Sequence, residues 1–78
     1  MKSYCDFKHV YSVREILPGR WYIQVNYRNA NGSRGGVCKL MDELDGPRPD
    51  EKCFEDWRPA QAALDEMARL YGWNVYEE

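Results

Sequence analysis

The chain has 78 residues, of which 44% are hydrophobic and 14% aromatic, and its formal net charge at pH 7 is −2. This length allows one small domain, and the apolar content excludes a disordered chain. No apolar run reaches the roughly 18 residues that a membrane-spanning helix requires. The composition therefore predicts one folded domain, covering residues 1–78, without a membrane segment.

The N-terminus and the cysteines indicate a cellular compartment. Residues 1–6 contain no apolar stretch of the kind found in a secretory signal peptide. The chain has three cysteines, Cys5, Cys38 and Cys53. An odd number without an export signal is typical of free thiols in a reducing compartment. We therefore expect a cytoplasmic protein without disulfide bonds.

Charge is divided unevenly along the chain. Residues 1–41 carry seven Lys or Arg and two acidic residues, a net charge of +5. Residues 42–78 carry four Lys or Arg and eleven acidic residues, a net charge of −7. This division predicts one basic and one acidic surface, each able to attract a partner of opposite charge.

Three strands are predicted in the first half of the chain. Residues 7–16 form the first strand, and Phe7 points inward. The next residues, Leu17-Pro18-Gly19-Arg20, are typical of a type II turn, and such a hairpin turn implies a strand before it. Residues 21–28 form the clearest strand, since apolar and polar side chains alternate along it. The Asn31-Gly32 pair then favours a second hairpin and a third strand over residues 35–41.

A helix is predicted after a long acidic loop over residues 42–56. The helix covers residues 57–71, with Asp56 as its N-cap and Gly72 ending it in the left-handed conformation. Residues 73–76 form an extended tail that either adds a short fourth strand or packs over the sheet. The predicted fold class is α+β, a three-stranded antiparallel sheet packed by one C-terminal helix. The predicted core consists of Tyr11, Val13, Trp21, Ile23, Val25, Tyr27, Leu64, Met67 and Tyr71.

The residue types give little support for catalysis or for a cofactor. General acid–base catalysis needs a base beside a nucleophile or a second acid, and His9 has no recognisable partner in the sequence. No phosphate-binding loop or dinucleotide-binding motif is present. We therefore expect no enzymatic activity and no cofactor.

Four residues are of types that bind structural zinc, namely Cys5, His9, Cys38 and Cys53. Only Cys5 and His9 approach the paired spacing that zinc-binding motifs use. We therefore expect no metal, and the sequence leaves open whether these four side chains meet in space.

The solvated face of the predicted sheet is a candidate nucleic-acid-binding surface. Tyr22 can stack on bases, Gln24 and Asn26 can hydrogen-bond to base edges, and the neighbouring basic side chains can hold phosphates. The set consists of Arg14, Arg20, Tyr22, Gln24, Asn26, Arg28, Arg34 and Lys39. A solvated strand face without a ligand would be equally polar.

Part of the sequence resembles a DNA-binding family. Val10-Tyr11-Ser12-Val13-Arg14, Gly19-Arg20-Trp21, Phe54 and the segment from Ala60 to Ala68 look like AP2-type and integrase arm-binding domains. The resemblance spans residues 10–68 and implies a sheet that lies in the DNA major groove.

In size and format the chain is similar to small phage and mobile-element accessory proteins, anti-CRISPR inhibitors among them. This resemblance implies a non-catalytic module that binds and inhibits a host nucleic-acid-handling complex. Its acidic residues would present phosphate-like charge to Arg and Lys of that partner. The predicted protein-binding set is Asp42, Glu43, Asp45, Asp50, Glu51, Glu55 and Asp56. The same residues would also serve as a solubilising loop.

The leading hypothesis is thus a protein-binding phage or mobile-element inhibitor. The alternative is an AP2-like nucleic-acid-binding domain that uses the basic face of the sheet. A third class, a structural or dimerising domain, would follow if an exposed sheet edge pairs between copies. The sequence leaves open whether the protein is a monomer or a homodimer.

Overall fold

The computed structural model describes residues 1–41 and 53–77. They form a helix and five strands, in the order β1 (Ser3–Cys5), β2 (His9–Leu17), β3 (Arg20–Arg28), β4 (Arg34–Met41), α1 (Trp57–Tyr71) and β5 (Asn74–Tyr76). The strands make one antiparallel sheet with the spatial order β4-β3-β2-β1-β5. The α+β class is confirmed, but the predicted strand count was too low.

Local signals in the sequence match the turns and the helix ends. Gly19 and Gly32 have φ angles of 73° and 87°, as the two predicted hairpin turns require. Asp56 caps α1 by accepting a hydrogen bond from the Arg58 backbone N–H. Gly72, at φ 72°, ends the helix and donates its N–H to the Ala68 carbonyl. The helix bounds are as predicted because both caps are encoded locally.

The two short strands depend on contacts that are distant in sequence. β1 has only three residues, too few for a periodic pattern, and lies between β2 and β5. Gln61 of α1 accepts a hydrogen bond from the Lys2 N–H at 3.2 Å and donates one to the Lys2 carbonyl at 2.9 Å. The Tyr4 hydroxyl donates to Asp65 at 2.7 Å. Desolvation and this hydrogen bond raise the pKa of Tyr4 to about 12.

The core lies between α1 and the middle of β2 and β3. Leu64 and Ala60 are fully buried against one face of the sheet. Phe54 joins them from outside the named strands, exchanging two 2.9 Å backbone hydrogen bonds with Trp21. The cluster of buried residues is Tyr11, Val13, Ile23, Val25, Met41, Phe54, Ala60 and Leu64.

Four predicted placements of aromatic side chains were wrong. Tyr27, Tyr71 and Phe7 are 54%, 68% and 82% exposed, whereas Tyr22 is only 1% exposed. Tyr27 and Tyr71 lie near the ends of β3 and α1, beyond the region where helix and sheet cover each other. Phe7 lies in the connection between β1 and β2 rather than in a strand. Tyr22 lies on the face of the sheet that is turned away from α1, so the helix is not what buries it.

Within the ranges that the structure describes, no helix is both long and apolar enough to cross a bilayer.

Replacement of Leu64 tests the central position of α1. We expect Leu64→Ala to lower the free energy of unfolding by about 2–5 kcal/mol, because it leaves a cavity at the centre of the core. Chemical denaturation followed by circular dichroism measures this change. The matched control is Leu70→Ala in the same helix, where the side chain is exposed and we expect a change within about 0.5 kcal/mol. Similar losses in both variants would contradict the assigned core.

Candidate binding surfaces

The two faces of the sheet have different chemistry. Side chains alternate along β2, so Tyr11 and Val13 point to the helix whereas Val10, Ser12 and Arg14 point away from it. The face turned away from α1, here called the polar face, also carries side chains from the other strands. These side chains are Tyr22, Gln24, Asn26, Arg28, Arg34 and Tyr76.

A hydrogen-bond network centred on Arg34 fills the polar face. Arg34 Nη1 donates to Ser12 Oγ at 2.6 Å and to Asn26 Oδ1 at 3.1 Å. Gln24 also donates to Asn26 Oδ1, at 2.9 Å, and Asn26 Nδ2 donates to the Gly35 carbonyl at 3.0 Å. Ser12 and Asn26 are both buried. The network therefore satisfies side chains of β2, β3 and β4 that would otherwise lose water without replacement.

Tyr76 closes the polar face at one end. Its hydroxyl donates to the Gly32 carbonyl at 3.2 Å, so β5 at one edge of the sheet meets the β3–β4 connection at the other. The Arg28 and Arg34 guanidinium carbons lie 6.0 and 5.7 Å from the centre of the Tyr76 ring, within range of a cation–π interaction. Arg28 also donates to the Asp6 carbonyl at 3.0 Å. The sheet is thus curled around its own polar side chains.

This arrangement divides the predicted nucleic-acid-binding set. Tyr22 and Asn26 are buried, so neither ring nor amide is open to a base. Lys39 pairs with Val25 and belongs to the helix-facing side. Arg14 and Arg20 are exposed, whereas Arg28 and Arg34 are partly buried by the contacts described above. The structure does not bring the eight residues together as one open surface.

Burial also affects the Tyr22 hydroxyl. Desolvation raises the pKa of Tyr22, and Cys53 and Arg20 are its ionisable neighbours. Tyr22 therefore acts as a packed side chain of the polar face, and it stays protonated at neutral pH.

The helix-facing side has a different candidate surface where α1 ends. Five aromatic rings form a series in which each ring is next to the following one. The centroid of the His9 ring lies 5.7 Å from that of Tyr27 and 6.1 Å from that of Tyr11. Tyr11 is stacked on Trp73 with a centroid distance of 3.7 Å, and the Trp73 centroid lies 5.4 Å from that of Tyr71. We call His9, Tyr11, Tyr27, Tyr71 and Trp73 the aromatic trough. Sequence reasoning missed it as a surface because it assigned Tyr11, Tyr27 and Tyr71 to the core and interpreted His9 as a lone strand histidine.

Asp6 fixes the inner part of the aromatic trough. Its Oδ1 accepts hydrogen bonds from the Lys8 and His9 backbone N–H groups at 2.8 and 2.7 Å, and its Oδ2 accepts one from the Tyr11 hydroxyl at 2.8 Å. Burial opposes ionisation of Asp6, but these three hydrogen bonds outweigh it and lower the pKa of the carboxyl group. Burial and the hydrogen bond to Asp6 raise the pKa of the Tyr11 hydroxyl.

The acidic protein-binding set lies mostly outside the described residues. This holds for Asp42, Glu43, Asp45, Asp50 and Glu51. Glu55 is exposed, whereas Asp56 caps α1 and pairs with Arg58 at 2.5 Å. The Arg58 hydrogen bond is the main cause of the lowered pKa of Asp56. Asp56 therefore has a structural role within this chain.

The candidate zinc ligands are on different parts of the sheet. Cys5 pairs with Val10 and is buried on the polar face, whereas Cys38 is exposed beside the Tyr27 hydroxyl on the other side. In residues 1–41 and 53–77, no three His, Cys, Asp or Glu side chains are close enough to share a metal ion.

Comparisons of the chain with protein-family models, with curated proteins and with solved structures find no match. The resemblances to AP2-type domains and to phage accessory proteins therefore stay predictions.

Replacement of Arg34 tests whether the polar face is a packed network. We expect Arg34→Ala to lower the free energy of unfolding by about 1–3 kcal/mol, because buried Ser12 and Asn26 each lose a donor. Denaturation by urea measures the loss. Lys8→Ala is the control, since Lys8 is also basic but exposed. An Arg34→Ala protein as stable as the control would contradict this assignment.

The lowered pKa of Asp6 predicts a pH dependence of stability. The ionised carboxylate stabilises the fold above the pKa of the unfolded chain, about 3.9, and this contribution is lost as the pH falls through the lower pKa of the folded state. We expect the free energy of unfolding to decrease below about pH 4, and the decrease to be smaller in Asp6→Asn. Denaturation at a series of pH values measures both slopes. Glu55→Gln is the control, and equal slopes in wild type and Asp6→Asn would contradict the assignment.

Proposed function

We propose that the chain is a non-catalytic protein-binding module whose contact surface is centred on the aromatic trough. The observation that carries the proposal is the exposure of two large rings, Tyr27 and Tyr71, next to rings that are held in place. Aromatic side chains are enriched at protein interfaces because they bury a large area with few rotatable bonds. Exposed rings in a contiguous group are therefore candidates for contact with a partner.

The inner rings support the proposal because they are already ordered. Tyr11 and Trp73 are stacked with an interplanar angle of 6°, and the Tyr11 hydroxyl is hydrogen-bonded to Asp6. Trp73 is partly buried against the main core. A partner that binds here meets a surface whose side-chain entropy has largely been lost on folding, which reduces the cost of association.

The contacts on the polar face favour this proposal over nucleic-acid binding by the sheet. Base readout would need open Tyr22 and Asn26 side chains, and both are buried. Arg34 donates to Ser12 and Asn26 within the chain. Binding of a nucleic acid by this face would require rearrangement of the network and of Tyr76.

The finer proposal is that the partner belongs to a host nucleic-acid-handling complex and is inhibited by this chain. Its support is the net charge of −7 over residues 42–78, which would attract the basic surface of such a partner. The aromatic trough and the acidic half would then have different roles. The rings supply affinity, and the charge supplies steering and choice of partner.

An affinity capture with matched variants tests the proposed function. The immobilised chain is exposed to bacterial lysate, and retained proteins are quantified by mass spectrometry. We expect the amount of a protein that the wild type retains to fall by about tenfold or more with the double variant Tyr27→Ala/Tyr71→Ala. Aromatic residues at interfaces often contribute about 1–2 kcal/mol each or more to binding. The control is Phe7→Ala/Leu70→Ala, which removes two exposed apolar side chains outside the trough.

Two results would contradict the proposed function. One is equal retention by both double variants, which would show that the captured protein does not use the trough. The other is recovery of nucleic acid alone in a salt-sensitive manner, which would favour the basic residues instead. Unchanged thermal unfolding of the variants is required in either case.

A further inference from the structure

Tyr76 of β5 lies beside two guanidinium groups on the polar face. The guanidinium carbons of Arg34 and Arg28 are 5.7 and 6.0 Å from the centre of its ring. The Tyr76 hydroxyl donates to the Gly32 carbonyl at 3.2 Å. An aromatic ring next to two cations, with a carbonyl acceptor at its edge, therefore fills this part of the polar face.

Both arginines are held in place by contacts that do not involve Tyr76. Arg28 Nη1 donates to the Asp6 carbonyl at 3.0 Å, and Arg34 Nη1 donates to Ser12 and Asn26. These contacts would keep the two guanidinium groups in position if the Tyr76 ring turned away. The space that the ring fills is therefore a preformed site for another flat ring.

The Tyr76 ring can turn away without unfolding of the sheet. β5 is an edge strand of three residues, and its first two, Asn74 and Val75, are exposed. The Tyr76 backbone pairs with Ser3 of β1, and this pairing is kept when only the side chain moves. The ring is partly exposed, and its bond of 3.2 Å to Gly32 is long for a hydroxyl donor. Outward rotation is thus a local change that costs less than global unfolding.

The chemistry around the Tyr76 ring matches that of a nucleobase contact. Bases of single strands stack on guanidinium planes, and the exocyclic amino group of a base can donate to a carbonyl as the Tyr76 hydroxyl does. The described side chains of the polar face that are named above include three arginines and no acidic residue. These surroundings suit the phosphates on either side of a base.

This contact differs from base readout by the whole face. Readout by Tyr22 and Asn26 would disrupt the buried network, because both side chains are enclosed in the sheet. A base that stacks in place of Tyr76 needs neither of them. The network then stays intact and continues to hold Arg34.

We propose that Tyr76 is an intramolecular plug in a nucleobase-binding site, and that outward rotation of its ring lets the polar face bind single-stranded nucleic acid. In the arrangement that the structure shows, the ring excludes the base and the site is closed. The contact is autoinhibitory in this sense. It concerns the polar face and does not rest on the aromatic trough, so the two proposals can fail separately.

Binding measurements on two variants of β5 test the inference. A fluorescein-labelled decamer of deoxycytidine is titrated with protein at low salt, and fluorescence anisotropy gives the affinity. We expect Tyr76→Ala to bind about tenfold more tightly than the wild type, because the site is open to a stacking base. Val75→Ala is the control, since Val75 is exposed in the same strand and its side chain is on the other face. Its affinity should equal that of the wild type.

Two further measurements separate base stacking from attraction by charge. An abasic strand with the same number of phosphates should gain little from Tyr76→Ala, because it has no ring to fill the site. The double variant Tyr76→Ala/Arg28→Ala should lose most of the gain on the deoxycytidine decamer, because one of the two guanidinium groups is removed.

A second variant covers the case in which Tyr76→Ala does not fold, as judged by circular dichroism. Tyr76→Phe keeps the ring and removes only the hydrogen bond to Gly32. We expect it to bind the decamer about threefold more tightly than the wild type, because the ring then turns away more readily.

Equal affinity of folded Tyr76→Ala and wild type for the decamer would overturn the inference. An equal gain on the abasic strand would also overturn it, because it would show attraction by charge alone. If only Tyr76→Phe folds, absence of any gain in that variant has the same meaning.

Discussion

The structure depends on one constraint, the covering of a five-stranded sheet by a single helix. A helix is about 10 Å wide, whereas five strands at a spacing of ~4.8 Å are about 19 Å across between the outer strand axes. α1 therefore packs mainly on β2 and β3, in the middle of one face, and does not reach the opposite face. Both candidate surfaces are consequences of this mismatch.

The opposite face is stabilised by curling and by polar contacts instead of a second layer. Arg34 connects Ser12 of β2 with Asn26 of β3, and Tyr76 reaches from β5 to the carbonyl of Gly32. The Arg34 guanidinium is partly buried, and its hydrogen bonds to Ser12 and Asn26 replace part of the hydration that it loses. Basic residues that look like a binding surface in the sequence are thus partly used to hold the strands together.

The parts of the fold that were predictable are those encoded over a few residues. The alternation from Trp21 to Arg28, the two positive-φ glycines of the hairpins, and the caps Asp56 and Gly72 all define structure locally. β1 and the burial of Tyr22 were not predictable in this way. β1 depends on residues far along the chain, as the Gln61 contacts with Lys2 show across 59 positions. Tyr22 has a distant neighbour too, Cys53.

The candidate site was not predictable from the sequence for the same physical reason. Tyr27 and Tyr71 have the period of core residues, but their positions near the ends of β3 and α1 place them outside the region of mutual cover. A usable signal was present in the residue types: tyrosine, histidine and tryptophan carry a polar atom, and such side chains suit a boundary between core and solvent. The aliphatic residues Ile23, Val25 and Leu64 occupy the fully covered positions. The division between aliphatic and polar aromatic residues along one face therefore marks where packing against the helix ends and the exposed part of the aromatic trough begins.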